Sequence, residues 1–121
     1  MLEAGAAQVD ITPDLVKKVV RLAGYQARGK TPAQGILDRL YTRALFLRQG
    51  QENLIIVSCD LLWVSDQLRG RVLDALNPSF QVVSRELVIC ATHTHSGPAG
   101  LSHHPLAEEL FGPYDSELGE A

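Results

Sequence analysis

Two histidines placed two positions apart, His93 and His95, lie in the segment THTHSGP (residues 92–98). On an extended backbone such a spacing sends both imidazoles to the same side, so the two rings can face one ligand. Two imidazole nitrogens can bind one zinc ion at about 2.0–2.1 Å. Alternatively, one ring binds the metal while its neighbour donates a hydrogen bond to a substrate. The spacing is compatible with both arrangements, and either one predicts a functional site in this segment.

Other polar residues are candidates for the same cleft. Asp60 ends an apolar run, where it either forms a turn or orients an imidazole from outside the set of metal ligands. Asp38 precedes a predicted strand and is a candidate cleft residue. Three more candidates belong to the histidine segment itself: Thr92, Ser96 and Gly97. We therefore predict a polar cleft around the histidine pair, with these five residues as its possible lining.

The remaining histidines and the two cysteines are predicted to take no part in the chemistry. His103 and His104 are adjacent in a polar segment, so we expect both to be solvated. Cys59 and Cys90 each lie in an apolar run and form no CxxC pair, which excludes a cysteine zinc knuckle. We expect both cysteines to be buried free thiols.

Two apolar runs, residues 39–48 and 54–59, are separated by a short polar stretch and predict an antiparallel hairpin. Residues 6–12 predict a short strand that stops at Pro13. Residues 24–35 are punctuated by glycine and proline, which indicates a surface loop.

Apolar residues at positions 68, 72, 73 and 76 predict an amphipathic helix over residues 65–76. We expect Ser65 to be its N-cap and Asn77-Pro78 to end it. The run LVICA (residues 87–91) predicts a strand buried on both faces. Strand, helix and strand in this order imply a right-handed crossover. The predicted fold is α/β, a mixed sheet that places the histidine segment at a strand's carboxyl end, where such folds bind ligands.

Composition narrows the possible partners. The chain has 121 residues, enough for a single domain, and a formal net charge of −3. This charge offers no basic surface for a nucleic acid, and no apolar stretch has the length of a transmembrane helix. The first residues lack the pattern of a signal peptide, so we expect a cytoplasmic protein.

The segment ATHTHSGPAG (residues 91–100) resembles the signature of the neutral/alkaline non-lysosomal ceramidases and their bacterial relatives. Four further segments fit the family in order: AAQVDITP (6–13), GYQARG (24–29), ILDRLYTRALFL (36–47) and VSCDLLWVS (57–65). The resemblance covers residues 5–100, and THTHSGP is its most specific part.

This resemblance implies a zinc-dependent amidase that cleaves the N-acyl bond of ceramide-like lipids. It makes His93 a zinc ligand and His95 the histidine that contacts substrate at the reacting centre. The family's other ligands, a second histidine, a glutamate and a tyrosine, lie downstream, as does a GDVSPN-type serine motif. We therefore expect residues 1–121 to be one domain, the N-terminal fragment of a larger catalytic domain whose remainder is its partner. Alone, we expect it to bind zinc weakly or not at all and to be inactive.

Residues 36–39 lack the histidine that ceramidases often carry there, so the substrate is expected to be a ceramide-like lipid or another amide or ester. A metallo-β-lactamase-like HxHxDH motif is excluded, because Gly97 stands where its aspartate belongs. The alternative function is a noncatalytic α/β module that binds a ligand with the THTHSGP loop.

Overall fold

A computed structural model describes residues 1–119, with the backbone alone at residue 26. Its centre is one four-stranded sheet in the order β1-β2-β3-β4. The strands are β1 (Leu2–Asp10), β2 (Tyr41–Gln49), β3 (Glu52–Cys59) and β4 (Leu87–Ala91). The first three run antiparallel to their neighbours, and β3 pairs with β4 in parallel. The predicted mixed sheet is thereby confirmed.

Helices and turns connect and flank these strands. The α-helices are α1 (Asp66–Phe80), α2 (Pro105–Phe111) and α3 (Ser116–Gly119), with short 3-10 turns at Gln26–Arg28 and Ser84–Glu86. Helix α1 joins β3 to β4, as the strand-helix-strand pattern predicts. In residues 1–119 there is no helix long and apolar enough to cross a membrane.

The β2–β3 hairpin is confirmed and is closed by the pair Gln49 and Glu52. Gly50 turns the chain there with a φ of 63°, a left-handed conformation that glycine adopts without steric cost. The first strand runs over Leu2–Asp10, so it both begins and ends earlier than the predicted residues 6–12. Its first residue, Leu2, pairs with Gln49. This sheet edge therefore follows β2 along its whole length.

The hydrophobic core lies between one face of the sheet and α1. Its buried strand residues are Ile55, Val57, Cys59 and Leu87, and the apolar side of α1 packs against them with Leu68, Val72, Leu73 and Leu76. A second, smaller cluster of Ala23, Leu62, Ala99 and Phe111 lies beyond the strand ends. Burial of these apolar groups fixes the strand ends relative to the loops that follow them.

Helix α1 does not end at Asn77-Pro78 as predicted; it continues to Phe80. Pro78 lies in the last turn, where its missing N–H removes only one intrahelical hydrogen bond. The helix ends at Gln81, which has a left-handed conformation and donates its backbone N–H to the carbonyl of Asn77. This αL cap terminates α1 one turn later than the proline pattern suggests.

The prediction that β4 is buried on both faces is also wrong. Leu87 is buried on the α1 side, but Val88 is 47% exposed on the opposite face. Cys90 shares that face and is exposed, so only Cys59 fulfils the expectation of a buried free thiol. The open face continues across the sheet through Ile56 and Leu45. An apolar run indicates that a strand can be buried. Whether each face of the strand is buried depends on which elements pack against that face.

Ser65 caps α1 as predicted, because its side-chain oxygen accepts the backbone N–H of Leu68 at 3.1 Å. We expect Ser65→Ala to lower the free energy of unfolding by about 1 kcal/mol. Urea unfolding should show a lower midpoint with an unchanged slope. The control is Ser79→Ala, an exposed serine in the last turn of α1. Equal destabilisation by the two variants would contradict a capping role.

Candidate functional site

The histidine segment leaves β4 and runs beside the residues that follow β3. Thr92 donates its backbone N–H to the carbonyl of Cys59 at 2.9 Å, and Thr94 donates to the carbonyl of Leu61 at 3.2 Å. The parallel pairing of β3 with β4 thus extends past the strand ends. Main-chain hydrogen bonds of this kind place the histidine backbone independently of any side-chain contact.

The imidazole of His93 is oriented by a main-chain carbonyl. Its Nδ1 lies 2.8 Å from the carbonyl oxygen of Leu62. A carbonyl only accepts hydrogen bonds, so Nδ1 must carry the proton, and the neutral ring then has a free lone pair on Nε2. His93 has a φ of 60°. This left-handed conformation costs about 1 to 2 kcal/mol for a non-glycine residue, which the surrounding hydrogen bonds must offset.

His95 is held in a similar way from another part of the chain. Its Nδ1 lies 3.2 Å from the carbonyl oxygen of Gly24, so its Nε2 also has a free lone pair in the neutral ring. The rings of His93 and His95 are 5.2 Å apart between centroids and nearly perpendicular, at 84°. Tyr25 meets the ring of His95 edge-on at 5.7 Å. The two imidazoles lie side by side although the backbone at His93 is left-handed and not extended as expected.

Asp60 connects two strands and bonds neither imidazole. Its Oδ2 accepts the backbone N–H of Tyr41 at 2.9 Å and a guanidinium N–H of Arg43 at 3.0 Å. Burial raises the pKa of Asp60, but the donors from Tyr41, Arg43 and Thr92 together lower it below the ordinary carboxyl value. Within residues 1–119, the groups that orient the imidazoles are therefore the carbonyls of Leu62 and Gly24.

The other predicted cleft residues differ in how they are placed relative to the His93–His95 pair. Ser96 follows His95 and donates its backbone N–H to the hydroxyl of Thr94 at 3.2 Å. Gly97 is buried, and a Cβ there would lie 3.3 Å from the carbonyl oxygen of Asp60, which makes the position tight. Asp38 is exposed in the loop before β2 and makes no hydrogen bond to another of residues 1–119. Asp38 is thus not brought to the histidine pair by any contact.

His103 and His104 are exposed, as expected. His104 also caps α2, because its Nδ1 accepts the backbone N–H of Leu106 at 3.3 Å. The ring of His103 packs against Tyr114 with centroids 3.6 Å apart. The rings of His103 and His104 thus make contacts with residues near them in the sequence, and these contacts do not involve His93 or His95.

No group of three or more His, Cys, Asp or Glu side chains in residues 1–119 is arranged to hold a metal ion. His93 nevertheless fits the chemistry of a metal donor, since its tautomer leaves Nε2 unprotonated. A metal at this ring would need its remaining donors from outside these residues.

The sheet and its histidine loop define an α/β domain whose candidate site lies beyond the carboxyl ends of its parallel strands. The family model described as neutral/alkaline non-lysosomal ceramidase, N-terminal, matches residues 2–117. The chain therefore belongs to the neutral/alkaline non-lysosomal ceramidase family, and the resemblance drawn from its motifs is confirmed.

Relatives agree in sequence and in fold. The chain is 31% identical over 106 residues to the neutral ceramidase of Pseudomonas aeruginosa, an alignment that covers 84% of this chain and 15% of that protein. It superposes on a structure described as ceramidase complexed with C2 with a TM-score of 0.84 and 26% identity, covering 98% of this chain and 19% of the other. A crystal structure of neutral ceramidase from Pseudomonas aeruginosa gives 0.83 at 24% identity, with the same coverage, which shows the shared fold. The chain spans less than a fifth of these relatives.

Three residues at the site were not singled out from sequence: Gly24, Tyr25 and Leu62. Two of them act through their main-chain carbonyls, and a carbonyl gives no signal in residue type. Gly24 and Tyr25 do open the GYQARG segment that matched the family in the sequence. This match indicated that the chain resembles the ceramidase family, but it did not indicate that these two residues contact the histidines.

The hydrogen bonds of Asp60 predict an acid-sensitive contribution to stability. Because its folded pKa is lowered, this contribution is complete above the unfolded value of about 3.9 and is lost as pH falls through the folded pKa. We expect Asp60→Asn to lower the free energy of unfolding by about 1 kcal/mol at neutral pH. Urea unfolding from pH 7 downward should show this difference narrowing below about pH 4.

Asp10 and Asp14 also have lowered pKa values, chiefly through hydrogen bonds from Thr12 and Val16, so wild type and variant share some acid sensitivity. The matched control is Asp38→Asn, an exposed carboxylate outside these contacts. A difference between wild type and Asp60→Asn that stays constant with pH would refute the electrostatic explanation.

Proposed function

We propose that this chain is the N-terminal part of the catalytic domain of a zinc-dependent amidohydrolase resembling neutral ceramidase. The reaction is hydrolysis of an N-acyl amide bond in a ceramide-like lipid, or of another amide or ester. The observation that carries the proposal is the 2.8 Å contact between His93 Nδ1 and the Leu62 carbonyl, which leaves Nε2 unprotonated. Membership of the ceramidase family supports the substrate class.

His93 is the proposed zinc ligand. Histidines that bind metals commonly donate their second ring N–H to a carbonyl or carboxylate, which fixes the tautomer and the ring orientation. The Leu62 carbonyl has this relation to His93. When bound, zinc polarises the substrate carbonyl and lowers the pKa of a coordinated water.

His95 is the proposed contact with the substrate at the reacting centre. Its ring centroid lies 5.2 Å from that of His93, so a group bound near one imidazole is within reach of the other. The neutral ring presents Nε2 as a hydrogen-bond or proton acceptor, because Nδ1 is occupied by the Gly24 carbonyl. Holding a proton at this atom is the role expected of a general acid–base group.

The rest of the parent protein is the proposed partner of this chain. The open sheet face exposes Leu45 by 39% and Val88 by 47%, an apolar surface suited to further packing. The ceramidases matched are more than five times as long as this chain, since it covers 15% to 19% of them. The remaining zinc donors and the GDVSPN-type serine would come from that remainder, so residues 1–121 alone are inactive.

Substitutions in the full-length parent separate the two histidines. We expect His93→Asn to abolish zinc binding, and asparagine is chosen because it tolerates the left-handed backbone. His95→Asn should retain zinc but lower kcat by about 10²- to 10⁴-fold. Zinc content after dialysis and hydrolysis of a short-chain ceramide measure the two effects.

His103→Asn is the control, because this exposed ring lies outside the pair and should leave both quantities unchanged. Loss of zinc from both His93→Asn and His95→Asn would show that the two rings are both ligands. A parent that hydrolyses no amide or ester while binding a ligand at this loop would support the noncatalytic module instead.

Zinc titration of the 121-residue chain tests where the other donors lie. A single imidazole gives weak binding, so calorimetry should show no saturation at equimolar zinc. A His93→Asn chain is the matched control, and its titration should be nearly the same. Tight one-to-one binding by the wild-type chain would contradict the proposal that the site needs residues beyond these.

A further inference from the structure

Gly24 approaches His95 more closely than any residue with a side chain could. Its carbonyl oxygen lies 3.2 Å from His95 Nδ1. A Cβ added to Gly24 would lie 2.5 Å from the same nitrogen and 2.9 Å from Cε1. Its φ is 82°, in the region that favours glycine. Both the steric contact and the backbone conformation therefore require glycine at position 24 as long as the imidazole of His95 stays where it is.

The backbone around Gly24 is fastened to the loop that follows His95. Ala23 donates its N–H to the carbonyl of Gly97 at 3.0 Å, and Ala99 donates to the carbonyl of Arg21 at 2.8 Å. Ala23 is also 4% exposed, within the smaller apolar cluster. These bonds fix the N-terminal side of Gly24 to the loop that follows His95, which limits how far Gly24 can move away from the imidazole.

We propose that Gly24 is a positioning residue for His95. Its carbonyl accepts a hydrogen bond from Nδ1 and so keeps the proton of the imidazole on this nitrogen. Because Gly24 has no side chain, the ring of His95 can occupy the space that a Cβ would take. Whenever the ring is neutral, this tautomer leaves Nε2 unprotonated, so the group that meets this nitrogen is then a hydrogen-bond donor: a hydroxyl, an N–H or a water. This inference rests on the proposed function for the role of His95, but the tautomer itself can be measured without activity.

Nitrogen-15 NMR of the wild-type 121-residue chain at alkaline pH, where imidazoles are neutral, reads the tautomer directly. We expect the proton of His95 on Nδ1. A proton found mainly on Nε2 would overturn the proposal without any variant.

Gly24→Ala and Gly29→Ala form a matched pair of variants. Both glycines have positive φ, 82° and 54°, so each alanine is strained by its backbone. A Cβ at Gly29 has nothing within 4 Å, whereas one at Gly24 meets His95. We expect Gly24→Ala to shift the His95 tautomer ratio by about 3- to 10-fold, the effect of one hydrogen bond, and Gly29→Ala to leave it unchanged. Equal ratios in the two variants would refute the positioning role, and if Gly24→Ala fails to fold, the wild-type tautomer decides.

In the full-length parent, Gly24→Ala should lower kcat by about 10²-fold through misplacement of His95, with KM changed less and zinc content retained. An unchanged kcat beside a shifted tautomer would show that the imidazole's position is not used in the reaction. A parent without hydrolase activity would instead refute the proposed function and leave the tautomer result standing.

Discussion

The hydrogen bond from His93 Nδ1 to the carbonyl of Leu62 is the interaction on which the candidate site depends. It exists because β3 and β4 run parallel, so that the residues following both strands leave the sheet at the same edge. Main-chain bonds from Thr92 and Thr94 extend this pairing and hold His93 in its left-handed conformation. The sheet topology therefore determines which nitrogen of the imidazole is available to a ligand.

Much of the fold follows from patterns in the sequence. The hairpin follows from two apolar runs around a short polar turn, and α1 follows from helical spacing with Ser65 at its start. Both patterns report local periodicity that the final structure preserves. The histidine pair was likewise evident from residue type and from its place after an apolar strand. These features are readable because each depends on residues close together along the chain.

Other features depend on residues that are distant in sequence or on main-chain atoms. Gly24 is 71 positions from His95 along the sequence. The type of a residue does not show whether its main-chain carbonyl accepts a hydrogen bond from a distant side chain. The left-handed backbone at His93 is imposed by its surroundings and not by its own preference. Cys90 was expected in the core, but the sheet face that carries it is covered by nothing in residues 1–119. Burial is a property of the assembled layers, and a strand's own composition predicts it only in part.

In the part of the chain that the structure describes, main-chain carbonyls and not carboxylates orient the two imidazoles. A carboxylate partner would bring a negative charge, whose effect depends on protonation, whereas a carbonyl orients the ring without a titrating group. Asp60, a carboxylate directly after β3, is engaged instead by Tyr41 and Arg43. The orientation of both rings is therefore set by main-chain carbonyls of this chain, together with the Tyr25 ring beside His95. Assembly of a metal site on His93 would then require the rest of the protein to supply donors, but not to turn the imidazole.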